Sequence, residues 1–253
     1  MRCRTCGLVY VNPRTPAALI AKSYAEADND DYLIGKEGRL STGRRGIKMI
    51  ESYAPTKGRI LDVGCAAGFF LKAAEERGWE TRGIELSHKL VAYGTSQLGL
   101  DLTPGTLEDT SFPDAFFDAV TFWDVLEHLP NPRSTLQAVR RILKPGGIIL
   151  INYPDFNSLW AKLFRRKWWF LLSSHLYYFT PATLTALLNS EGFAVVSKRR
   201  HWQQLGLGYL ASRLGSYSRP MAGLLKRLVE SVGLEDKNIT YYGSQTNIIA
   251  RKI

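Results

Sequence analysis

The sequence predicts an α/β fold built on a doubly wound, mostly parallel sheet, and three observations carry that prediction. From Lys57 onward, short apolar runs alternate with amphipathic stretches, the rhythm of successive βα units. One such run, Ile60-Leu61-Asp62-Val63, leads into a turn of small residues from Gly64 to Gly68 and then into a helical pattern. The chain of 253 residues is 45% hydrophobic and 22% charged, which suits one elaborated domain with a sizeable core and excludes a disordered or fibrous chain.

Residues 1–55 read as a cap of short helices. They mix turn signals at Asn12-Pro13 and Thr15-Pro16 with an acidic patch (Glu26, Asp28, Asp30, Asp31) and a basic run ending in Arg44-Arg45. Strands are expected over residues 59–63, 80–84, 119–122 and 147–152, and helices over 68–77, 88–98 and 134–143. The last of these helices is stopped by Lys144-Pro145-Gly146-Gly147. Pro181 opens a further helix to Ser190, Gly192 turns it into a strand over 193–198, and residues 245–251 alternate as a final strand. Two segments interrupt the rhythm. Residues 157–180 are rich in aromatic side chains and sit where a lid would lie, and residues 201–243 place Leu224, Leu225, Leu228, Val229 and Val232 at helical spacing.

The net charge of +10 is concentrated in one region. Between Phe156 and Arg227 the chain carries 11 Lys and Arg against one acid, Glu191, so this part is expected to meet something anionic. The apolar runs are too short to span a bilayer, and the start, MRCRTCGLVYVNPR, lacks the apolar region of a signal peptide. Three cysteines, Cys3, Cys6 and Cys65, are too few for a disulfide framework, and the expected location is the cytoplasm.

The turn after residue 63 carries the chemistry. Small residues let a ligand approach the backbone, and the helix start offers free N–H groups. Glu85 follows the next expected strand, where an acid would meet ribose hydroxyls, so a nucleoside-containing cofactor is implied. The dinucleotide pattern G-x-G-x-x-G is absent, which argues against hydride transfer with a nicotinamide cofactor.

Leu61-Asp62-Val63-Gly64-Cys65-x-x-Gly68 resembles motif I of the class I S-adenosylmethionine-dependent methyltransferases, and Gly83-Ile84-Glu85-Leu86-Ser87 resembles their second-strand motif. Gly105-Thr106-Leu107-Glu108-Asp109, Phe117-Asp118-Ala119-Val120, Leu126-Glu127-His128 and Leu143-Lys144-Pro145-Gly146-Gly147 continue the likeness in family order over residues 57–200. The resemblance implies a Rossmann-like seven-stranded sheet in a single domain, with a cap over 1–55, a cofactor-binding half over 56–156 and an acceptor-side half over 157–253. It implies S-adenosylmethionine as cofactor. Asp62, Gly64, Cys65 and Gly68 would shape the pocket for its methionine part, and Glu85 would hold both ribose hydroxyls. Leu86 would flank the adenine, Leu107 and Glu108 would meet its edge, and Trp123 and Asp124 would floor the pocket. Ala66 stands where many members have glycine, and fits a tight turn if its φ is negative.

His175, in the His175-Leu176-Tyr177-Tyr178-Phe179-Thr180-Pro181 segment, and His128 are the expected general bases, since imidazole titrates in the right range to take a hydroxyl proton. No metal is expected. The groups that would hold one are Asp124, Glu127 and His128, similar to the E-x-x-E-H site of quinone-biosynthetic O-methyltransferases and placed to share a helical face, and Cys3 with Cys6, half of a zinc ribbon. The expected acceptor is an oxygen of a small-molecule, lipid-linked or glycan compound. Residues 160–170, from Trp160 through Arg165-Arg166-Lys167-Trp168-Trp169 to Phe170, suit peripheral contact with an anionic bilayer through Trp168 and Trp169. The same residues would also suit RNA, and a cofactor-binding assembly subunit without catalysis is the third reading.

Overall fold

The computed structural model describes residues 1–26, 32–33, 35–54, 56–208, 211, 219–234 and 237–253. The expected acidic patch at Asp28, Asp30 and Asp31, and Arg213 of the basic stretch, lie outside these residues. In chain order the elements are β1 (Val9–Tyr10), α1 (Ala17–Ala25), α2 (Lys36–Glu51), β2 (Arg59–Val63), α3 (Phe69–Glu75), β3 (Glu80–Glu85), α4 (His88–Leu98), β4 (Leu102–Pro104), β5 (Phe117–Trp123), α5 (Pro132–Ile142), β6 (Leu143–Pro154), α6 (Leu159–Phe164), β7 (Tyr177–Tyr178), α7 (Pro181–Ser190), β8 (Phe193–Gly206), α8 (Arg219–Ser231) and β9 (Asn238–Lys252).

Seven strands form one sheet in the order β4-β3-β2-β5-β6-β9-β8. Pairings from β4 through β6 are parallel, and β9 runs antiparallel to both of its neighbours. The order reverses between β2 and β5, so the loops leaving these two strands diverge and open a crevice at their carboxyl ends. Side chains alternate between two buried faces. Leu61, Val63, Val120, Phe122, Ile149 and Ile151 join one core beneath α5 and α7, whereas Ile60, Ala119, Ile148 and Leu150 join another beneath α2 and α3. Burial on both faces explains the unbroken apolar runs read from the sequence.

The helices begin where local chemistry dictates. Ser87 caps α4 by accepting from the Leu90 N–H, and Gly99 ends it at φ +70°. Asn131 caps α5 with Pro132 as first residue, so this helix starts two residues before the expected position. Thr180 and Thr183 form a reciprocal cap on α7.

Three expectations are corrected. The N-terminal cap contains a helix of 16 residues, α2, and its first strand leaves the cap to pair with β7 of the lid, Val9 opposite Tyr178 and Tyr10 opposite Tyr177. The strand expected over 193–198 continues to Gly206, and the final strand begins at Asn238, because the two form one long antiparallel hairpin. Trp168 is not a lipid-facing anchor. It is 2% exposed, and its indole N–H donates to Ser244 Oγ at 3.1 Å, while that of Trp169 donates to the Gly243 carbonyl. Among the described residues, no helix is long and apolar enough to cross a membrane.

Candidate functional site

The turn after β2 is bent by its glycines. Gly64 and Gly68 have φ of +71° and +82°, and a Cβ on Gly64 would lie 2.5 Å from Val125 Cγ2. The Gly64 and Cys65 N–H groups donate to the Ile84 carbonyl at 2.8 and 3.0 Å, which ties the turn to β3. Ala66 has φ +50°, contrary to the negative value expected for it, and pays a steric penalty of about 1 kcal/mol that glycine would avoid. Glu85 holds it there. One carboxylate oxygen accepts from the Ala66 N–H and the other from the Ser87 N–H, each at 2.9 Å. Each oxygen keeps a lone pair for a further donor.

Asp62, 1% exposed, accepts from the Thr121 hydroxyl at 2.6 Å. Burial pushes its carboxyl up to about 8, against the Thr121 hydrogen bond and with the charge of Glu85 adding to the rise. A cation brought beside Asp62 would return it to the ionised form. Burial also raises the Cys65 thiol, which leaves it inert as a nucleophile.

A cleft of about 230 Å³ opens beside this turn. Asp62, Gly64, Cys65 and Ala66 form one wall, and Tyr32, Arg39 and Thr42 of the N-terminal region form a second. Trp123, Asp124 and Asn152 form the floor, and His201, Gln203, Gln204 and Leu205 of β8 form the far wall. The Arg39 guanidinium lies 3.8 Å over the Tyr32 ring. Asp124 has φ +56°, which turns the chain abruptly as it leaves β5. Five of the expected residues, Asp62, Gly64, Cys65, Trp123 and Asp124, therefore line the cleft. Gly68, Glu85, Leu86, Leu107 and Glu108 do not; Glu85 is joined to it through Ala66, Leu107 packs into the core, and Glu108 accepts from the Thr135 hydroxyl.

His128 and His175 lie away from the cleft. Their ring centroids are 4.5 Å apart, and with Glu127 they form a group whose potential ligand atoms lie within 4.8 Å of one another. Asp124 is outside that group. The expected shared helical face does not form, because the turn at Asp124 is followed by a single 3-10 turn, Leu126–His128. Among the described residues, both Glu127 carboxylate oxygens are buried without a hydrogen-bond partner, and burial, with the Asp124 charge adding, raises this carboxyl strongly. Burial and the neighbouring His128 lower His175 to about 3, so it is a weak base. The Leu176 N–H donates to the Glu127 carbonyl at 2.9 Å, so this cluster fastens the lid to the end of β5. Cys3 is half-buried and Cys6 exposed at an N-terminal turn, and the third cysteine, Cys65, borders the cleft and completes no ligand set with them.

The lid presents a mixed surface. Leu159, Trp160, Leu163 and Phe164 are exposed beside Lys162, Arg165, Arg166 and Lys167, which are exposed as well. Sequence reasoning missed Arg39 and the whole far wall. The signal for the wall was an alternation at the end of β8, His201, Gln203 and Leu205 facing one way, hidden behind the charged run Lys198-Arg199-Arg200.

Comparisons with known proteins bear on the family and the fold. A family model described as a methyltransferase domain matches residues 39–198. A ubiquinone biosynthesis O-methyltransferase of Azoarcus sp. is 38% identical over 108 residues, covering 39% of this chain and 45% of that protein. Its counterpart in Paracidovorax citrulli is 36% identical over 120 residues, covering 43% and 49%. The chain thus spans about half the length of the curated relatives it matches. Among solved structures, a SAM-dependent methyltransferase from Archaeoglobus fulgidus superposes with a TM-score of 0.60 at 20% identity, covering 87% of this chain and 99% of that one. A Haemonchus contortus phosphoethanolamine N-methyltransferase, solved with phosphomonomethylethanolamine and S-adenosylhomocysteine, gives 0.54 at 18% identity, covering 82% and 52%. These structural likenesses establish the fold.

Proposed function

The chain belongs to the methyltransferase-domain family, and on that premise we propose that it transfers a methyl group from S-adenosylmethionine to an oxygen of a small-molecule acceptor. The observation that carries this reading is the Glu85 carboxylate pinned by two backbone N–H groups beside a left-handed turn, with a polar cleft opening next to it. The O-methyltransferase names of the curated relatives support oxygen as the atom methylated.

The residues present fit that cofactor. Glu85 retains lone pairs for ribose hydroxyls, Gly64 leaves room where a Cβ would collide, and Asp62 offers a buried carboxyl to an ammonium group. When bound, S-adenosylmethionine would supply a methyl group activated by its sulfonium, the sulfur leaving with the C–S electron pair as the acceptor oxygen bonds the methyl and loses its proton to solvent. The protein's work is then alignment and exclusion of water. Phe70 and Trp123, with ring centroids 5.1 Å apart, form an apolar side of the cleft that keeps water from the reacting atoms. His128 and His175, first expected as bases, lie away from the cleft, and the lid is attached beside them by the Leu176 N–H, which donates to the Glu127 carbonyl.

The exposed face of α6 supports a lipid-linked acceptor. Its apolar side chains, with Lys162 and the cations that follow it, Arg165, Arg166 and Lys167, suit an anionic bilayer, from which such an acceptor would enter the cleft. The test is calorimetric titration of the protein with S-adenosylmethionine and S-adenosylhomocysteine, wild type against Glu85→Ala. Micromolar binding abolished by the substitution is expected. Well-folded wild-type protein that binds neither compound would overturn the reading.

A further inference from the structure

The far wall of the cleft holds a histidine that the foregoing chemistry leaves unused. His201 is 6% exposed, lies with its ring centroid 5.5 Å from that of Trp123, and lines the same cleft as Gly64 and Ala66 of the glycine turn. Behind it runs a chain of side-chain amides with a defined direction. Asp124 accepts from the Gln245 amide, whose second N–H donates to Asn152 Oδ1 at 3.1 Å. Asn152 then donates to Asn247 Oδ1 at 2.7 Å, and Asn247 presents its own NH2 group to His201 Nδ1 at 3.1 Å. Gln203 fixes the same orientation independently by donating to Gln245 Oε1.

A carboxylate only accepts, so each amide in turn must present its NH2 group to the next oxygen. The last donor faces Nδ1, which must therefore carry the lone pair. A neutral ring then keeps its one proton on Nε2, and burial favours the neutral ring. Among the described residues, Nε2 has no hydrogen-bond partner.

We propose that His201 is a specificity-determining donor: its Nε2–H recognises an oxygen lone pair on the methyl acceptor and rejects an ammonium group in the same position. This rests on the methyltransferase reading and narrows its substrate class to oxygen-rich neutral or anionic compounds. A neutral donor holds such a compound without taking its proton, and a protonated amine would set N–H against N–H.

The test uses protein labelled at its four histidines, with the His201 resonances assigned from His201→Phe. Nitrogen NMR is expected to show His201 as the Nε2–H form at neutral pH. In Asn247→Asp the partner becomes an acceptor and the proton moves to Nδ1. Catechol, added with S-adenosylhomocysteine, is expected to shift the His201 Nε2–H signal, whereas benzylammonium does not. His201→Phe is expected to weaken catechol binding by about fivefold to tenfold, the loss of one hydrogen bond, and His201→Gln, which restores a donor, to recover much of it. Melting temperatures check that each variant is folded. An Nδ1–H ring in the wild type, no catechol shift, or equal binding by His201→Phe would each overturn the proposal. Failure of S-adenosylhomocysteine to bind would instead remove the methyltransferase reading, while the tautomer measurement would still decide what His201 offers to the cleft.

Discussion

Replacing Asp62 by asparagine should flatten the pH dependence of stability. In the unfolded chain this carboxyl ionises near its ordinary value of about 4. In the folded protein, burial holds its proton up to about 8. Between these limits the folded state binds more protons than the unfolded state, so stability falls as the pH rises. Integrated from pH 6 to pH 9, the fall assigned to this one group is about 3 kcal/mol. Asparagine keeps an oxygen for the Thr121 hydroxyl and has no charge to bury, so at pH 6, where only the unfolded wild-type chain has released this proton, the variant should already be more stable than wild type by about 3 kcal/mol. At pH 9 the gap should widen to about 5–6 kcal/mol. Glu127 is also raised by burial and slopes the same way in both proteins, so the difference between them isolates Asp62. Urea unfolding of both at the two pH values measures the effect. Equal losses of stability would show that Asp62 is already ionised in the folded state, and the reasoning would fail.

Three further outcomes follow from the geometry. Gly64→Ala forces a Cβ towards Val125 at a left-handed backbone position and should cost about 2–4 kcal/mol with loss of S-adenosylhomocysteine binding; an unchanged melting temperature would refute this. Trp168→Phe removes the indole donor to Ser244 Oγ, whose hydroxyl also pairs with Ser158, and should cost about 1–3 kcal/mol in urea unfolding; no loss would mean that the indole is not held inside the protein. Arg165→Glu with Arg166→Glu reverses two exposed charges on the lid and should reduce sedimentation with anionic vesicles by about tenfold while leaving stability unchanged; undiminished binding would sink the lipid-facing role of α6.

The sheet was legible where local signals were strong. Arg59–Val63, His88–Leu98 and Pro181–Ser190 begin and end where their apolar runs and caps place them. The glycine turn was legible for the same reason, since only small residues tolerate its backbone. What escaped depends on contacts between distant segments. Two-residue strands such as β1 and β7 have no periodicity of their own, and exist because the N-terminal turn and the lid meet. Trp168 reads as one more aromatic in a basic run, and only its bond to Ser244 makes it a core residue. The pairing of His175 with Glu127 and His128 likewise depends on how the lid folds back. The far wall was hidden because its alternation includes glutamines and follows three cations, so hydrophobic patterning had nothing to detect.

The place of β9 in the sheet sets an order of construction. It is the last strand in the chain, yet it lies between β6 and β8. A ribosome delivers β8 first, and β8 then has no edge to join until β9 has emerged and paired with β6. The glycine turn and Glu85 are complete long before that moment, whereas His201 and its amide chain are among the last features to assemble. A growing chain therefore gains the glycine turn and Glu85 early, and the wall of the cleft formed by β8 only after β9 has emerged to seat it.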